Sequence, residues 1–541
     1  MKLSKLFMNI SKEMGNNHFF GIPGSGVPLD LMDSGKDIDL QFINVAHEST
    51  AAIAAGTYGL IKNSSGLCLG VKGVGAGNLA GGVANAYFER MPVVCVCETT
   101  PDYSYDNEMG QHADHQGLMK SVTKSMVTLT KDNPAQKILD SYKISMQGLR
   151  GPVLIDFPSN MGLEEVDSEY KIEPLGADKI ETYGNIEDIS KLISNSKKPM
   201  LIVGDGVRKD EAISEIIKFS EKIGAGVLST MNARGVYPES HNRWVGVSTA
   251  FDKRQTTRPG LLTKDSDLII LVGADQMMTH VPWPEGELKT VEIISDNKFK
   301  TLSSSPEVKV AGNIKNILIK LLDSLGNNRG WEITELNNIY KMIDPRFSRS
   351  GKAVFTKEDV LDISKEILPT DGHLFTETGA FIAQLENTWK FDKPLKYFGS
   401  SGGRSMGLMI PAFIGGSLAS NDAIPSIGIG ADGSTLMRMG EFETISRSNL
   451  KWPIVIINDA SLGTMKYRQG FRGYSDYGLD LKMVDFAGVA KSCGLKGETI
   501  SNPEEFRKTL NKAFKSDITT VIDARIDPNE YQDSFGGTIG D

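Results

Sequence analysis

Two aspartates stand at the ends of strand-like segments and could hold a divalent cation. Asp432 closes the apolar run SIGIGAD, and Asp459 closes PIVIIND. The carboxyl ends of neighbouring strands form the ligand crevice of a doubly wound sheet, so the two carboxylates are predicted to meet there, beside Gly433 and Ser434. Magnesium takes one or two carboxylates and leaves its other positions for phosphate oxygens and water. Turn or capping roles are the alternative, because aspartates are common after strands.

A glutamate near the N-terminus is a second candidate for chemistry. Glu48 lies in AHES, between the strand-like LQFINV and the helix-like STAAIAAGTYGLIK, which is rich in small residues. A carboxyl group in a pocket at this position could exchange a proton with a ligand. A lone glutamate at a strand end is otherwise most often a surface residue.

Taken together, the two motifs resemble those of thiamine-diphosphate enzymes. The segment ADGS contains Asp432, and the segment ND contains Asp459, 27 positions later. The resemblance implies that magnesium is held by these two side chains and by the backbone carbonyl of Ser461. Ala431 stands where the family has glycine, and Asp459 stands where it has asparagine. The additional carboxylate attracts the cation and repels the diphosphate, so its net effect on cofactor affinity stays open.

The His-Glu pair that contains Glu48 resembles that of the acetolactate-synthase group. In that group the glutamate hydrogen-bonds the aminopyrimidine ring and favours the tautomer that removes the thiazolium C2 proton. The segments FGIPG, GVGAGN, TETG and RSMG match the same family, and a dinucleotide fingerprint would need glycine at Asn78. Met406 is the implied apolar wedge that bends the cofactor, and an ordinary core methionine is the alternative. The implied cofactor contacts are Pro23, Gly24, Glu48, Gly75, Asn78, Gly379, Met406, Asp432, Gly433, Ser434 and Asp459.

The subgroup is less well defined by the motifs. The segment GQH, which contains Gln111 and His112, stands where acetolactate synthases have FQE, and Arg468 stands where they have tryptophan. Gln111 is a catalytic candidate by this match. His112 and His115 could transfer protons as the adjacent histidines of pyruvate-type decarboxylases do, since imidazole titrates near neutrality, and a solvated polar loop is the alternative. Candidates to hold a substrate carboxylate are Lys72, Arg404, Lys466 and Arg468.

Strand-like and helix-like segments alternate along three stretches of the chain. This alternation predicts an α/β protein of three doubly wound parallel-sheet domains. The resemblance implies a pyrimidine-binding domain over 1–170, a central domain over 185–330 and a diphosphate-binding domain over 350–541. The polar, turn-rich stretches between them are interpreted as linkers.

Composition excludes several classes of protein. The 541 residues include 59 Lys+Arg and 68 Asp+Glu, for a formal net charge of -9. Without a basic run, neither a nucleic-acid partner nor a polybasic membrane contact is expected. No segment approaches the roughly 18 apolar residues of a membrane span. Four cysteines are too few for a disulfide framework, so a reduced, cytoplasmic location is expected.

The resemblance implies a function as well as a fold. We expect a thiamine-diphosphate and Mg²⁺-dependent enzyme that decarboxylates a small-molecule 2-oxo acid and transfers the acyl carbanion to a second carbonyl. In the family, the glutamate-bearing and metal-bearing domains of different subunits meet, which implies a homodimer or homotetramer. One alternative is a simple 2-oxo acid decarboxylase or C–C lyase. Another is an oxidase relative that binds FAD on its central domain, although the sequence does not support this cofactor. The last is a non-catalytic cofactor-binding homologue.

Overall fold

The computed structural model describes most of the chain. The described residues are 1–104, 110–172, 182–248, 257–278, 288–296, 306–327, 330–342 and 353–527. They form three six-stranded sheets whose strand pairs are all parallel. The predicted α/β class with three parallel-sheet domains is confirmed.

The first domain is built on six strands with helices on both faces. The strands run in the order β2-β1-β3-β4-β6-β5, and the central ones are buried along their whole length, as expected of a parallel sheet covered on both sides. The strands are β1 (His18–Gly21), β2 (Gln41–Asn44), β3 (Gly66–Gly70), β4 (Val93–Thr99), β5 (Ser125–Thr128) and β6 (Val153–Pro158). The helices are α1 (Leu3–Glu13), α2 (Val27–Lys36), α3 (Glu48–Lys62), α4 (Val74–Phe88), α5 (His115–Met119) and α6 (Pro134–Met146).

The central domain has the strand order β9-β8-β7-β10-β11-β12, which is the order of dinucleotide-binding folds. Its strands are β7 (Pro199–Val203), β8 (Gly226–Thr230), β9 (Trp244–Ser248), β10 (Leu268–Val272), β11 (Lys289–Ile294) and β12 (Val308–Ala311). Its helices are α7 (Ile186–Asn195), α8 (Gly206–Lys209), α9 (Ile213–Ile223), α10 (Arg258–Asp265), α11 (Ile314–Ser324) and α12 (Ile333–Lys341).

Helix α12 lies in the stretch that was interpreted as a linker. Trp331 and Leu336 are buried in one apolar cluster with Met200 and Leu262 of the central domain. The central domain therefore extends past the predicted boundary at 330, at least to Lys341. Trp331, Leu336 and Ile339 pack their apolar side chains into this cluster, although the overall composition of the segment is polar.

The third domain repeats the connectivity of the first. Its strand order is β14-β13-β15-β16-β18-β17. The strands are β13 (His373–Thr376), β14 (Tyr397–Phe398), β15 (Ser426–Ala431), β16 (Ile454–Asn458), β17 (Lys496–Ile500) and β18 (Thr520–Arg525). The helices are α13 (Lys357–Ile367), α14 (Ile382–Thr388), α15 (Met409–Ala419), α16 (Asp432–Leu436), α17 (Glu441–Arg447), α18 (Gly463–Phe471), α19 (Phe486–Ser492) and α20 (Pro503–Ala513).

Helices α3 and α15 join the first domain to the third. Both are rich in small residues and buried on nearly every side. A Cβ added to Gly415 would lie 2.0 Å from the carbonyl oxygen of Ala54, so the two backbones touch. Beside this contact, Glu441 accepts hydrogen bonds from the backbone N–H of Ala46 at 3.1 and 3.0 Å. The segment that leads into Glu48 is thus fixed against the third domain.

The four cysteines form no disulfide in the structure. Cys68, Cys95 and Cys97 are buried and unpaired on β3 and β4, and Cys493 is a free thiol on the third domain. The described helices include none with the length and apolar character that crossing a membrane requires.

Candidate functional site

Glu48 begins helix α3 at the carboxyl end of β2. Its side chain is 7% exposed, and its Oε2 accepts a hydrogen bond from Asn78 Nδ2 at 3.1 Å. A Cβ on Gly75 would lie 3.4 Å from Glu48 Oε1 and 2.7 Å from Val71 Cγ2, so only glycine keeps the space over the carboxylate open. The structure brings together the predicted residues Glu48, Gly75 and Asn78 with Val71, which was not predicted, and we call these four residues the glutamate half-site.

The loop after β1 borders the glutamate half-site. A Cβ on Gly24 would lie 2.1 Å from Val71 Cγ1, so a glycine is required where the loops after β1 and β3 touch. Pro23 precedes it on the exposed side of the loop. The predicted contacts Pro23 and Gly24 therefore lie at the same edge of the first sheet as Glu48.

Asp432 and Asp459 follow the neighbouring strands β15 and β16. Asp432 Oδ1 accepts from the N–H of Gly433 at 2.6 Å, and its Oδ2 accepts from the N–H of Asp459 at 3.2 Å. Asp459 Oδ1 accepts from the N–H and hydroxyl of Ser461 at 3.0 and 3.1 Å. Ala431 has φ -98°, so its backbone does not need the family's glycine. We call Asp432, Gly433, Ser434 and Asp459 the carboxylate half-site.

The chemistry of the carboxylate half-site suits a cation and a phosphate group. Burial, and then the charge of Asp459, raise the pKa of Asp432 to about 6. The hydroxyls of Ser434 and Thr435 are buried without a hydrogen-bond partner among the described residues. Mg²⁺ would relieve the repulsion between the carboxylates, and phosphate oxygens would accept from the hydroxyls. The described residues offer no group of three or more His, Cys, Asp or Glu side chains for a metal. Magnesium bound by one or two carboxylates leaves other positions for phosphate oxygens and water.

Met406 lies over the carboxylate half-site. Its Cε is 3.6 Å from the position of a Cβ on Gly433, and Leu462 Cδ2 is 2.7 Å from that position. Met406 remains 37% exposed, so it is not an ordinary core methionine within one copy of the chain. Gly379 follows β13, and a Cβ added to it would lie 3.4 Å from the Cβ of Ala431. The structure thus gathers these predicted residues at the carboxyl edge of the third sheet.

Glu377 is a buried residue of this edge that was not predicted. Its Oε2 accepts from the N–H groups of Leu408 and Met409 at 2.9 and 3.2 Å, and its Oε1 accepts from the N–H of Ala431 at 3.2 Å. It therefore ties the loop of Met406 to the end of β15. Burial raises the pKa of Glu377 to about 7. The only sequence signal is its place in TETG, directly after an apolar strand.

We expect the pH dependence of stability to report on Glu377. Its carboxyl pKa rises from 4.5 to about 7 on folding, so between these pH values the folded state binds more protons than the unfolded state. The free energy of unfolding therefore falls as pH rises through this window, by on the order of 3 kcal/mol, and is level above it. Urea unfolding at about pH 5 and pH 8 measures this difference. Glu377→Gln should reduce it by the share of Glu377, while Asp432, whose pKa is also raised to about 6, keeps contributing. An unchanged difference between the two pH values in the variant would contradict the assignment.

The predicted loop residues Gln111, His112 and His115 have different environments. Gln111 is exposed with φ 68°, and His112 Nδ1 lies 3.3 Å from Thr100 Oγ1. His115 is 2% exposed, and both of its ring nitrogens are engaged in hydrogen bonds inside the protein. This geometry argues against the proton-transfer role predicted for His115, because neither nitrogen is free to reach a substrate.

The four cations considered for a substrate carboxylate are distributed over both domains. Lys466 is paired with Asp476 at 2.9 Å and Asp480 at 2.7 Å on the exposed surface. Lys72 lies 3.8 Å from Glu98, Arg404 lies 3.6 Å from Glu386, and Arg468 lies on α18. Lys72 therefore belongs to the first domain and the other three belong to the third.

Family models match all three domains. The thiamine pyrophosphate enzyme N-terminal TPP binding domain matches residues 1–121, the central domain matches 186–321 and the C-terminal TPP binding domain matches 377–524. The probable acetolactate synthase large subunit of Methanocaldococcus jannaschii is 27% identical over 98% of this chain and 93% of its own. The acetolactate synthase large subunit of Corynebacterium glutamicum is 28% identical over 96% of this chain and 86% of its own.

Solved structures share the fold at lower identity. The 4-hydroxybenzoylformate decarboxylase of Rhodococcus jostii RHA1 has a TM-score of 0.81 at 20% identity and covers 97% of this chain and 99% of its own. The benzoylformate decarboxylase of Polynucleobacter necessarius has a TM-score of 0.83 at 19% identity, covering 98% and 99%. With the three domain models matched in this order, the chain belongs to the thiamine pyrophosphate enzyme family and is a thiamine-diphosphate-dependent enzyme similar to the acetolactate synthases.

Proposed function

We propose that the protein decarboxylates a 2-oxo acid and transfers the resulting acyl group to a second carbonyl compound. The observation that carries this proposal is the buried Glu48. Its carboxylate accepts a hydrogen bond from Asn78, and the lack of a side chain at Gly75 leaves space beside it. The near full-length similarity to proteins named acetolactate synthases supports carboligation over release of a free aldehyde. Thiamine diphosphate, when bound, supplies a nucleophilic C2 and accepts the electrons left by carbon dioxide.

The glutamate half-site would bind the pyrimidine ring of the cofactor and exchange a proton with it. Glu48 would hold a proton at a ring nitrogen, and Asn78 would orient the carboxyl group that carries it. The absence of a side chain at Gly75 leaves space for the ring beside the carboxylate. Burial would keep water from competing for the same hydrogen bond.

The carboxylate half-site would hold the diphosphate end of the cofactor. Asp432, Asp459 and the carbonyl of Ser461 would bind Mg²⁺, and the partnerless hydroxyls of Ser434 and Thr435 would donate to phosphate oxygens. Met406, beside Gly433, would supply the apolar contact that holds the cofactor in its bent shape.

We further propose that two copies of the chain complete each site, in a homodimer or homotetramer. Each half-site opens onto exposed apolar side chains: Val74 is 77% exposed beside Gly75, and Met437 is 53% exposed after α16. Helix α18, which follows Ser461, buries none of its residues. Clustered exposed apolar surface is typical of an interface. The glutamate half-site of one copy would cover the carboxylate half-site of another.

A product analysis tests the proposed reaction. Pyruvate and other 2-oxo acids are incubated with the protein, Mg²⁺ and thiamine diphosphate, and carbon dioxide, aldehyde and hydroxy-oxo acid are measured separately. We expect a hydroxy-oxo acid, with one carbon dioxide released for every two 2-oxo acids consumed when the same compound is donor and acceptor. Aldehyde at one per carbon dioxide would instead establish the simple decarboxylase. No carbon dioxide from any 2-oxo acid would contradict both.

The FAD-dependent alternative would place its ligand at the switch point between β7 and β10. Ion pairs occupy the walls there: Arg90 with Asp275 at 2.5 Å, and Arg208 with Asp205 at 2.6 Å. Arg150 lines the same cleft. A yellow purified protein would support a flavin. A protein that binds thiamine diphosphate without exchanging its C2 proton would instead be the non-catalytic homologue.

A further inference from the structure

His115 connects the core of the first domain to the glycine loop after β3. It is the first residue of α5 and is 2% exposed. Its Nδ1 lies 3.0 Å from Asp156 Oδ1 on β6, and its Nε2 lies 3.2 Å from the backbone nitrogen of Gly73. The three groups come from segments far apart in the sequence and meet at the loop that leads to Gly75 of the glutamate half-site.

The partners determine which ring nitrogen carries the proton. The backbone N–H of Gly73 can only donate, so His115 Nε2 must accept and must be unprotonated. The proton is therefore on Nδ1, which donates to Asp156. Asp156 is 2% exposed, and its other oxygen accepts from Gln116 Nε2 at 3.2 Å. A buried carboxylate thus fixes a neutral imidazole with one lone pair directed at one backbone amide.

Gly73 is the residue at which the glycine loop turns into helix α4. It has φ 67°, and a Cβ there would lie 2.6 Å from the carbonyl oxygen of Gln111, so no other residue fits. Its own carbonyl accepts from the N–H of Gly77 at 2.9 Å and so begins the first turn of α4. Asn78, which donates to Glu48, stands at the end of that turn.

Within one copy of the chain, the outer side of this turn has little packing: Val74 is 77% exposed, and nothing lies within 4 Å of the position of a Cβ on Gly77. The hydrogen bond from Gly73 to His115 fixes the turn from its inner side in each copy, whether or not a second copy covers Val74. A shift of the turn would move Asn78 with it, and the carboxyl group of Glu48 would lose its orientation.

We propose that His115, oriented by Asp156, is a positioning residue for Glu48. It acts by holding the N–H of Gly73, and through the first turn of α4 it sets the direction of the Asn78 amide on the catalytic carboxyl. This role rests on the proposed function and replaces the proton-transfer role considered for His115.

Two amide substitutions separate the hydrogen bond between Gly73 and His115, which we call the tether, from the other contacts of the histidine. In His115→Gln, the amide oxygen reaches the place of Nε2 and can accept from Gly73. In His115→Asn, the shorter amide keeps a donor near Nδ1 for Asp156 but offers nothing to Gly73. The two variants are matched in polarity, and each can keep one of the two hydrogen bonds of His115: the glutamine the one to Gly73, the asparagine the one to Asp156. Deuterium uptake by the peptide over 71–78 is followed by mass spectrometry, and exchange of the cofactor C2 proton is measured in the holoenzyme.

We expect His115→Asn to speed deuterium uptake over 71–78 about tenfold and to slow C2 exchange by a similar factor, as loss of one buried hydrogen bond implies. His115→Gln should stay close to the unsubstituted protein in both. Glu48→Gln is the control for the chemistry, because it should slow C2 exchange and leave the uptake unchanged. Cofactor affinity should be nearly the same in all of them.

Several results would overturn the proposal. Unchanged deuterium uptake and unchanged C2 exchange in His115→Asn would show that the tether does not position Glu48. Equal impairment in both amide variants would show that the volume of the ring matters and the acceptor does not. If His115→Asn fails to fold, Asp156→Leu serves instead, because it removes the acceptor that orients His115 Nδ1–H, and unaltered uptake over 71–78 in that variant would defeat the inference. Failure of the unsubstituted protein to bind thiamine diphosphate would refute the proposed function, while the contrast in uptake would still decide on the tether.

Discussion

Glu48→Gln is expected to slow exchange of the cofactor C2 proton at least about 100-fold, the lower range of what a positioned acid or base contributes. Glutamine keeps the size of the side chain and can still accept from Asn78, so the fold and the half-site should persist. It has no carboxyl proton to share with the pyrimidine ring. Quenched-flow deuterium exchange followed by proton NMR of the cofactor measures the rate directly.

The matched control for this variant is Glu366→Gln. Glu366 is an exposed residue of α13 that pairs with Arg507 at 2.6 Å, so the substitution makes the same chemical change away from both half-sites. Its exchange rate should equal that of the unsubstituted protein. Unchanged exchange in Glu48→Gln, with the cofactor bound, would refute the role assigned to the glutamate.

Asp432→Asn is expected to weaken Mg²⁺-dependent binding of thiamine diphosphate by about 100-fold or more, because even second-sphere substitutions cost 10- to 100-fold at metal sites. The amide oxygen still accepts a backbone hydrogen bond, but the charge that attracts the cation is lost. Calorimetric titration of the apoprotein with cofactor, with and without Mg²⁺, gives the affinity.

The same variant should become more stable when no metal is present. Burial and Asp459 raise the pKa of Asp432 to about 6, which shows that the charged carboxylate is unfavourable in the metal-free fold at neutral pH. The neutral amide removes that penalty, so the melting temperature without Mg²⁺ should rise while cofactor binding falls. Unaltered affinity would contradict the cation clamp, and a lower melting temperature would contradict the account of its electrostatics.

The sequence was sufficient to predict the groups that lie directly at strand ends. Asp432 and Asp459 follow apolar runs, and parallel strands place their carboxyl ends at one edge, so their meeting in the structure follows from the pattern. Glu48 and Asn78 required the resemblance, because 30 residues separate them. Spacing alone does not show that the loops after β2 and β3 meet.

Residues whose role depends on distant partners could not be predicted in this way. His115 looks like a loop residue in QHADH, and only Asp156, 41 positions later, explains why it is buried. Glu377 likewise owes its role to backbone groups of the loop before α15. Helix α12 was missed because one short apolar face in a polar segment gives a weak periodic signal.

Mixing two inactive variants tests the central claim that Glu48 and Asp432 serve one cofactor. Glu48→Gln and Asp432→Asn chains carrying different affinity tags are unfolded together, refolded and purified for oligomers that hold both. If two copies share each site, half of the sites in a mixed dimer are intact, and about half of the original C2 exchange and carbon dioxide release per dimer should return. Mixed oligomers that bind cofactor but regain no activity would contradict a site built from the glutamate half-site of one copy and the carboxylate half-site of another.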